Sequence, residues 1–152
     1  MATAAAGPDV EKKVVLTALI FCAACLALIG WAAVKLGATV PGCVTDVKPF
    51  TEGSVTQTAP GRYEAHVVAK NWTFLPTKIT VPKGSVVDFY VTSKDVVHGF
   101  DIDGTNVNLM AIPGAVTYAQ ARFDQPGRHS VLCHEYCGNG HHDMLGRIEV
   151  TP

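Results

Sequence analysis

The stretch Ser85-Val-Val-Asp-Phe-Tyr-Val-Thr92 is the strongest structural signal in this sequence of 152 residues. Most of its side chains are β-branched or aromatic, and the turn sequence Pro82-Lys83-Gly84 comes directly before it. Side chains of this kind suit the pleated, half-buried environment of a strand, whereas Pro and Gly mark turns. The stretch is therefore predicted to be a β-strand, and it sets the pattern for interpreting the rest of the chain.

The same pattern recurs on both sides of this strand. Short segments with strand composition are separated by segments that contain Gly or Pro, of which Pro126-Gly127 is the clearest. Many short strands with turns between them are typical of an antiparallel sandwich or barrel. The sequence therefore predicts an all-β domain with strands near residues 63–70, 78–81, 85–92, 116–123, 128–133 and 146–151.

A long apolar run lies near the N-terminus. Val14 to Val34 contain no charged residue, Lys12 and Lys13 precede them, and Lys35 follows. A helix of this length spans roughly 30 Å, the thickness of bilayer hydrocarbon. A cleaved signal peptide is the alternative, but its apolar part normally has only about 7–15 residues. The length of the run therefore favours a retained membrane anchor.

Composition and charge exclude other classes of protein. Charged residues make up 16% of the chain and the net charge is -1, so neither a basic surface that binds nucleic acid nor a disordered charged tail is expected. Pro and Gly are frequent between the apolar run and the first strand. The predicted organisation is an N-terminal segment with a transmembrane helix over residues 1–36, a linker over 37–61 and a β-domain over 62–152.

The most distinctive chemistry lies in the stretch Cys133-His-Glu-Tyr-Cys137-Gly-Asn-Gly-His141-His-Asp-Met144. Two thiols, several imidazoles and a thioether form a donor set that copper prefers, and zinc also binds thiols and imidazoles. A disulfide between Cys133 and Cys137 and a tetrahedral zinc site are the alternatives. Neither alternative makes use of Met144, so the donor set favours copper.

A copper site would use both of these thiols, one of the imidazoles and the thioether. A blue-copper site combines one Cys, two His and a weak axial Met on a β-sandwich. Cys137, His141 and Met144 supply three of these ligands, and His98, which follows the strand at residues 85–92, supplies the upstream histidine. Such a site is complete without Cys133. The thiolate of Cys133 is therefore free to act as a second bridge between two copper ions.

This pattern resembles subunit II of haem–copper cytochrome c oxidases. The resemblance rests on Cys-x-Glu-x-Cys-x3-His-x2-Met, preceded by Ser93-Lys-Asp95-Val-Val-His98, and extends over nearly the whole chain. It implies a cupredoxin-like Greek-key β-sandwich anchored by one N-terminal transmembrane helix. It also implies a binuclear CuA centre of two copper ions, held by the side chains of His98, Cys133, Cys137, His141 and Met144 and by the main-chain carbonyl of Glu135.

The resemblance implies further sites and partners. The carboxylate of Glu135 is expected to hold magnesium at the boundary with the haem-bearing subunit I. The stretch Asn71-Trp72-Thr73-Phe74-Leu75-Pro76 is similar to the family's aromatic stretch at which cytochrome c docks, so Trp72 is a candidate for the point where electrons enter. The alternative is that Trp72 is an ordinary core aromatic. Residues 44–152 carry 11 acidic and nine basic side chains, so a donor is expected to dock with weak electrostatic steering.

The implied function is that of the subunit through which electrons enter a terminal oxidase. Cytochrome c or a small copper protein would be the donor, and oxygen would be reduced to water at haem in subunit I, so no catalytic residue is predicted here. With its single helix, the chain is most similar to subunit II of the B-type (ba-type) oxidases. The expected location is a prokaryotic plasma membrane with the copper domain on the outer face. The CuA subunit of a nitric oxide reductase and a membrane-tethered copper carrier are the alternatives.

Overall fold

The computed structural model describes residues 7–36 and 42–152, which form a helical unit and a β-unit. The helical unit is α1, Pro8–Leu36. Within the described residues α1 is the one helix that is long and apolar enough to cross a membrane, over the segment Asp9–Lys35. The apolar side chains of α1 are exposed; Phe21, for example, is 68% exposed. Such a surface is stable in lipid rather than in water.

The described part of the β-unit contains eleven strands in two sheets. The first sheet has the order β1-β9-β6-β3-β2, with β4 also paired to β3, and the second has the order β5-β11-β10-β7-β8. The strands are β1 Gly42–Val44, β2 Ser54–Ala59, β3 Arg62–Lys70, β4 Thr73–Leu75, β5 Lys78–Pro82, β6 Ser85–Ser93, β7 His98–Ile102, β8 Asn108–Ala111, β9 Val116–Phe123, β10 Gly127–Leu132 and β11 Leu145–Thr151.

The predicted β-sandwich with one N-terminal helix is confirmed, but its strands are not all antiparallel. β3 pairs with β6 in parallel, and β5 pairs with β11 in parallel. In both cases the chain passes through the opposite sheet before it reaches the second strand of the pair. A chain that crosses over in this way returns in the same direction, which a local sequence pattern does not reveal.

Two strands lie within the segment that the sequence predicts to be a linker. β1 pairs with β9, and β2 pairs with β3 with a bulge between Gln57 and Ala59. The β-domain therefore begins before the predicted boundary at residue 62. The strands escape a pattern-based prediction because both are mostly exposed, so neither shows the apolar alternation of a half-buried strand. The part of the predicted linker at residues 37–41 lies outside the described residues.

The core lies between the two sheets and is centred on aromatic side chains. Along β6, buried Val87, Phe89 and Val91 alternate with less buried residues, as the two-residue period of a strand requires. The Phe89 ring lies 5.9 Å from that of Phe100, which contacts Phe74 edge to face at 5.4 Å. These contacts join the first sheet to β7, the strand that begins with His98.

Asp88 lies on the other face of β6. Its Oδ1 accepts hydrogen bonds from the Tyr118 hydroxyl at 2.7 Å and from Gln120 at 2.6 Å, and Arg62 lies 3.0 Å from Oδ2. Burial acts to raise the pKa of Asp88, but these hydrogen bonds outweigh it and hold the pKa below its usual value. The charged Asp88 carboxylate therefore stabilises the fold above the ordinary carboxyl pKa. This stabilisation is lost as the pH falls through the lowered pKa of Asp88.

We predict that Ser85→Ala stabilises the β-unit and Thr92→Val destabilises it. Among the described residues, the buried Oγ of Ser85 has no hydrogen-bond partner, and an unpaired buried hydroxyl costs about 1–3 kcal/mol. Thr92 is equally buried, but its hydroxyl donates to the Ala115 carbonyl at 2.7 Å. Chemical denaturation of both variants provides the measurement. If Ser85→Ala lost as much stability as Thr92→Val, the Ser85 hydroxyl could not be an unpaired buried group.

Candidate metal centre

The centre is built on a loop that two paired strands close. β10 ends at Leu132 and β11 begins at Leu145, and these two residues are register partners. The loop between them begins with Cys133 and ends with Met144, so its ends must lie side by side; the Cys133 amide is 3.4 Å from the Met144 carbonyl. Strand pairing thus brings together a thiol and a thioether that are eleven positions apart.

The predicted ligand residues converge on the two cysteine sulfurs. The Sγ atoms of Cys133 and Cys137 are 3.6 Å apart. His98 Nδ1 lies 4.0 Å from the first sulfur, and His141 Nδ1 lies 3.7 Å from the second. The Met144 sulfur is 3.8 Å from Cys137 Sγ, and the Glu135 carbonyl oxygen is 3.2 Å from Cys133 Sγ. Each histidine therefore approaches a different thiol, and both thiols lie in the middle.

Most of this cluster is buried. Ligand atoms of His98, Cys133 and Cys137 lie within 4.8 Å of one another, and His98 is fully buried. Burial, together with the neighbouring Cys133 thiol, raises the pKa of Cys137 to about 11. Without a cation, Cys137 thus stays protonated near neutral pH. A bound metal ion would reverse this balance, because it binds the thiolate and releases the proton.

The donor set discriminates between the alternatives that the sequence left open. Cys133 and Cys137 are free thiols rather than a disulfide. Zinc bound by four donors would not use a thioether, yet the Met144 side chain is buried and touches Cys137. Thiol, imidazole and thioether together are soft donors that suit copper. The residues present therefore fit copper.

The far nitrogen of His98 is held by a carboxylate. His98 Nε2 lies 2.7 Å from Asp95 Oδ1, three residues upstream. Burial acts to raise the pKa of Asp95, but hydrogen bonds from His98 and from the Asn71 and Val96 amides outweigh it, and the pKa lies below its usual value. The carboxylate is therefore charged and can only accept, so His98 Nε2 donates to it, and Nδ1 is the ring nitrogen directed toward the thiols.

Trp72 packs against the ligand loop from outside. Its indole N–H donates to the Cys137 carbonyl at 3.1 Å, while 42% of the residue is exposed. A Cβ atom placed on Gly138 would lie 3.4 Å from the ring, and one placed on Gly140 would overlap it. The indole therefore fits because Gly140 lacks a side chain, whereas a Cβ atom on Gly138 would only touch the ring. Neighbouring Phe74 is buried in the core.

Residues around the ligands divide into those that the sequence pointed to and those that it missed. Glu135 is exposed and contributes its carbonyl to the cluster. Asp95 is part of the pattern in the sequence but had no predicted role; an acidic residue three positions before a ligand histidine was the signal available. Gly140 was missed because its role is to leave room for a side chain that is distant in sequence.

Comparison with known proteins gives concordant results. A family model for the periplasmic domain of cytochrome c oxidase subunit II matches residues 56–151. Cytochrome c oxidase subunit 2 of Thermus thermophilus is 38% identical over 118 residues, which cover 76% of this chain and 87% of the relative. A second Thermus thermophilus sequence under that name is also 38% identical and is covered over 70% of its length.

Solved structures agree with the sequence comparison. A chain in the cryo-EM structure of a heme-copper terminal oxidase dimer is 49% identical, with a TM-score of 0.80, and the match covers 93% of this chain and 99% of that one. The crystal structure of the periplasmic domain of cytochrome oxidase subunit II from Bradyrhizobium japonicum is 23% identical, with a TM-score of 0.54 and coverage of 58% and 83%. The latter similarity shows the fold alone.

We predict that Gly140→Ala is harmful only while Trp72 is present. The backbone of Gly140 has φ −93°, which alanine adopts without strain, but the new methyl would lie 2.6 Å from Cε3 and 2.7 Å from Cγ of Trp72. We expect a loss of about 1–3 kcal/mol from overpacking, and almost none in a Trp72→Ala background. A double-mutant cycle of unfolding free energies measures the coupling; purely additive effects would argue against this contact.

Proposed function

This chain belongs to the cytochrome c oxidase subunit II family, and from that premise we propose that electrons from an external donor enter a terminal haem–copper oxidase through it. As a subunit II, the chain is part of an oxidoreductase complex and partners with subunit I. Its external domain is that of a family with a CuA centre. Reduction of oxygen to water would take place at haem in subunit I.

The proposed location follows from the helix and from the family. One apolar helix and an external domain of the periplasmic type make the chain a single-pass membrane protein. We place it in a prokaryotic plasma membrane, with the N-terminus inside and the β-unit on the outer face. Lys12 and Lys13 at one end of α1 are nearly balanced by Lys35 and Lys48 beyond the other end, so charge does not decide the orientation. The need of the copper domain for an external donor does.

The single observation that carries the proposal is the pairing of each histidine with a different thiol. His98 Nδ1 faces Cys133 Sγ and His141 Nδ1 faces Cys137 Sγ, while the sulfurs lie 3.6 Å apart. This arrangement supports a centre of two copper ions rather than one, which both cysteines and both histidines would hold. Met144 Sδ and the Glu135 carbonyl oxygen, each close to one of the sulfurs, are the proposed weak ligands.

When bound, a copper pair supplies a one-electron redox centre whose change of charge is spread over both ions. The contribution of the protein is to keep the donors in place. The ligand loop is closed by β10 and β11, His98 begins β7 within the same sheet, and the core ring of Phe100 lies two residues further along the strand. Donors held by strands and shielded from water move little, which favours rapid electron transfer.

The exposed surface at the ligand loop suits an electron donor whose contact face is apolar. Val96, Val97 and Tyr136 are exposed, with Tyr136 at 75%. They line an open surface depression together with Glu135, Cys137 and Gly138. We propose that cytochrome c or a small copper protein docks on the side of this depression formed by Cys137 and Gly138, next to the partly exposed indole of Trp72, while the Glu135 side chain faces subunit I. The hydrogen bond from that indole to the Cys137 carbonyl provides a short route to the ligand loop.

Glu135 is proposed to serve two purposes. Its main-chain carbonyl lies beside Cys133 Sγ, whereas its side chain is on the exposed surface. A carboxylate on this surface could hold magnesium at the boundary with subunit I, because Mg²⁺ prefers oxygen ligands. The carbonyl and the carboxylate of one residue would then link the copper centre to the neighbouring subunit.

We predict that Cys133→Ser converts the centre into a mononuclear site. One bridging thiol is lost, while His98, Cys137, His141 and Met144 remain. The copper content of the purified complex should fall by one ion, and the paramagnetic resonance spectrum should no longer show an electron shared between two copper nuclei.

A matched control for this experiment is Cys43→Ser. Cys43 is an exposed free thiol on β1, so its replacement should leave copper content and spectrum unchanged. A binuclear spectrum that survives in Cys133→Ser would show that the ligand assignment is wrong. A colourless zinc form of the wild-type complex would refute copper binding itself.

We predict that Met144→Leu keeps both copper ions but raises the reduction potential. Leucine is similar in volume to methionine, so the buried site should accept it. Loss of a weak thioether donor destabilises the oxidised state more than the reduced state. Onward electron transfer becomes less favourable, and oxygen consumption should slow in the fully copper-loaded complex.

Met110→Leu is the corresponding control, since Met110 lies on β8, outside the ligand loop. Copper content, potential and oxygen consumption should be measured on both variants. Unchanged potential and turnover in fully loaded Met144→Leu would count against Met144 as a ligand. A copper-storage protein would instead lose affinity for copper and show no oxidase activity even as wild type.

A further inference from the structure

The turn between β3 and β4 contacts both of the segments that carry the predicted copper ligands. It consists of Asn71 and Trp72, which lie between the last residue of β3 and the first of β4. One segment is the stretch 93–98, which ends with His98, and the other is the ligand loop 133–144. The two segments are far apart in sequence, so contacts through a third element can set their relative position.

On the first side, the turn holds Asp95. The Asn71 amide donates to Asp95 Oδ2 at 2.7 Å. Oδ1 of the same carboxylate faces His98 Nε2 at 2.7 Å and accepts from the Val96 amide at 2.7 Å. Ser93 adds a longer contact of 3.3 Å to Oδ1. Asp95 is therefore held on several sides, and its carboxylate connects the turn directly to the imidazole of His98.

On the second side, the turn holds the ligand loop. Trp72 donates its indole N–H to the Cys137 carbonyl, and its ring lies against the backbone of Gly138 and Gly140. The main-chain carbonyl that receives this bond belongs to one of the two cysteines of the cluster. Two consecutive residues thus support His98 through Asp95 and Cys137 through the indole.

We propose that Asp95 is a positioning residue for His98 and that the Asn71–Trp72 turn is the brace that ties His98 to the ligand loop. The proposal rests on the proposed function in that His98 and Cys137 are taken to bind copper. Asp95 keeps the proton on Nε2 of His98 and directs Nδ1 toward the thiols. Its negative charge also stabilises the more positive, oxidised centre, so it lowers the reduction potential.

The brace has a second consequence for Trp72. The indole lies in the region where a donor would dock, and the neighbouring residue Asn71 is bonded to Asp95. Removing the Asp95 carboxylate would release one end of the turn. The indole should then contact the loop less firmly, even in protein that contains no copper. The brace can therefore be tested without reference to oxidase activity.

The first experiment compares Asp95→Asn with Asp88→Asn in the copper-loaded oxidase complex. Asp88 is the matched control, because its carboxylate is also held by several side chains of the same sheet but is bonded to Tyr118 and Gln120 instead of a ligand. In Asp95→Asn we expect copper affinity to fall about 10- to 100-fold. At saturating copper the reduction potential should shift upward, with altered hyperfine splitting in the paramagnetic resonance spectrum. Asp88→Asn should keep the wild-type affinity, potential and spectrum.

The second experiment uses the metal-free full-length chain in detergent. Trp31→Phe leaves Trp72 as the single tryptophan, and quenching of its fluorescence by acrylamide reports how exposed the indole is. In that background Asp95→Ala should increase quenching, whereas Asp88→Ala should not. Asp95→Asn, which keeps the size of the side chain, should show a smaller increase and guards against general misfolding.

The outcomes separate this inference from the proposed function. A wild-type potential and spectrum in Asp95→Asn, or equal shifts in Asp95→Asn and Asp88→Asn, would refute the positioning role. Unchanged quenching in Asp95→Ala would refute the brace. If the wild-type complex bound no copper, the proposed function would fail, and the fluorescence experiment would still decide whether the turn supports both segments.

Discussion

The antiparallel pairing of β10 with β11 is the contact on which the metal centre depends. Because Leu132 and Leu145 are partners, the chain between them must leave the sheet and return to it at one place. Cys133 and Met144 therefore meet at the base of the loop, and Cys137 and His141 are folded back over them. Neighbouring β7 adds His98 from the same sheet. Slippage of this register by one residue would turn the first and last donors away from each other.

In the absence of a metal ion, burial and the neighbouring cysteine of the loop disfavour ionisation of Cys137. Two thiols are buried 3.6 Å apart, and burial with a neighbouring thiol raises the pKa of Cys137 to about 11. The arrangement is stable because neutral thiols are acceptable in an apolar environment, while the Glu135 carbonyl accepts from Cys133. Both thiols would hold a cation as thiolates, and the paired ends of β10 and β11 keep Cys133 and Met144 in place at the base of the loop. Such rigidity suits transfer of single electrons.

The two units of the chain meet different solvents. α1 exposes apolar side chains along its length, which requires lipid or other membrane helices around it. The β-unit buries its apolar side chains between two sheets and keeps a few exposed ones, among them Val96, Val97 and Tyr136, next to the ligand loop. Exposed apolar residues that cluster in this way mark a surface of interaction, and they lie at the surface that we propose for docking of the donor.

Local patterns in the sequence were sufficient for the class of fold and the apolar helix, and they pointed to the thiols, imidazoles and thioether that the fold brings together. Strand-forming runs between turns, an uncharged run of 21 residues, and thiols, imidazoles and a thioether at fixed spacing are all visible within short windows. Only the tertiary structure decided the parallel pairings, the extension of the sheet into the predicted linker, the carboxylate behind His98 and the fit of Trp72 against glycine. Most of these features join positions that are far apart in the chain, such as Trp72 and Cys137, or involve strands that are too exposed to show an apolar period. A local pattern records what a side chain is, whereas its partner is chosen by the register of the sheets.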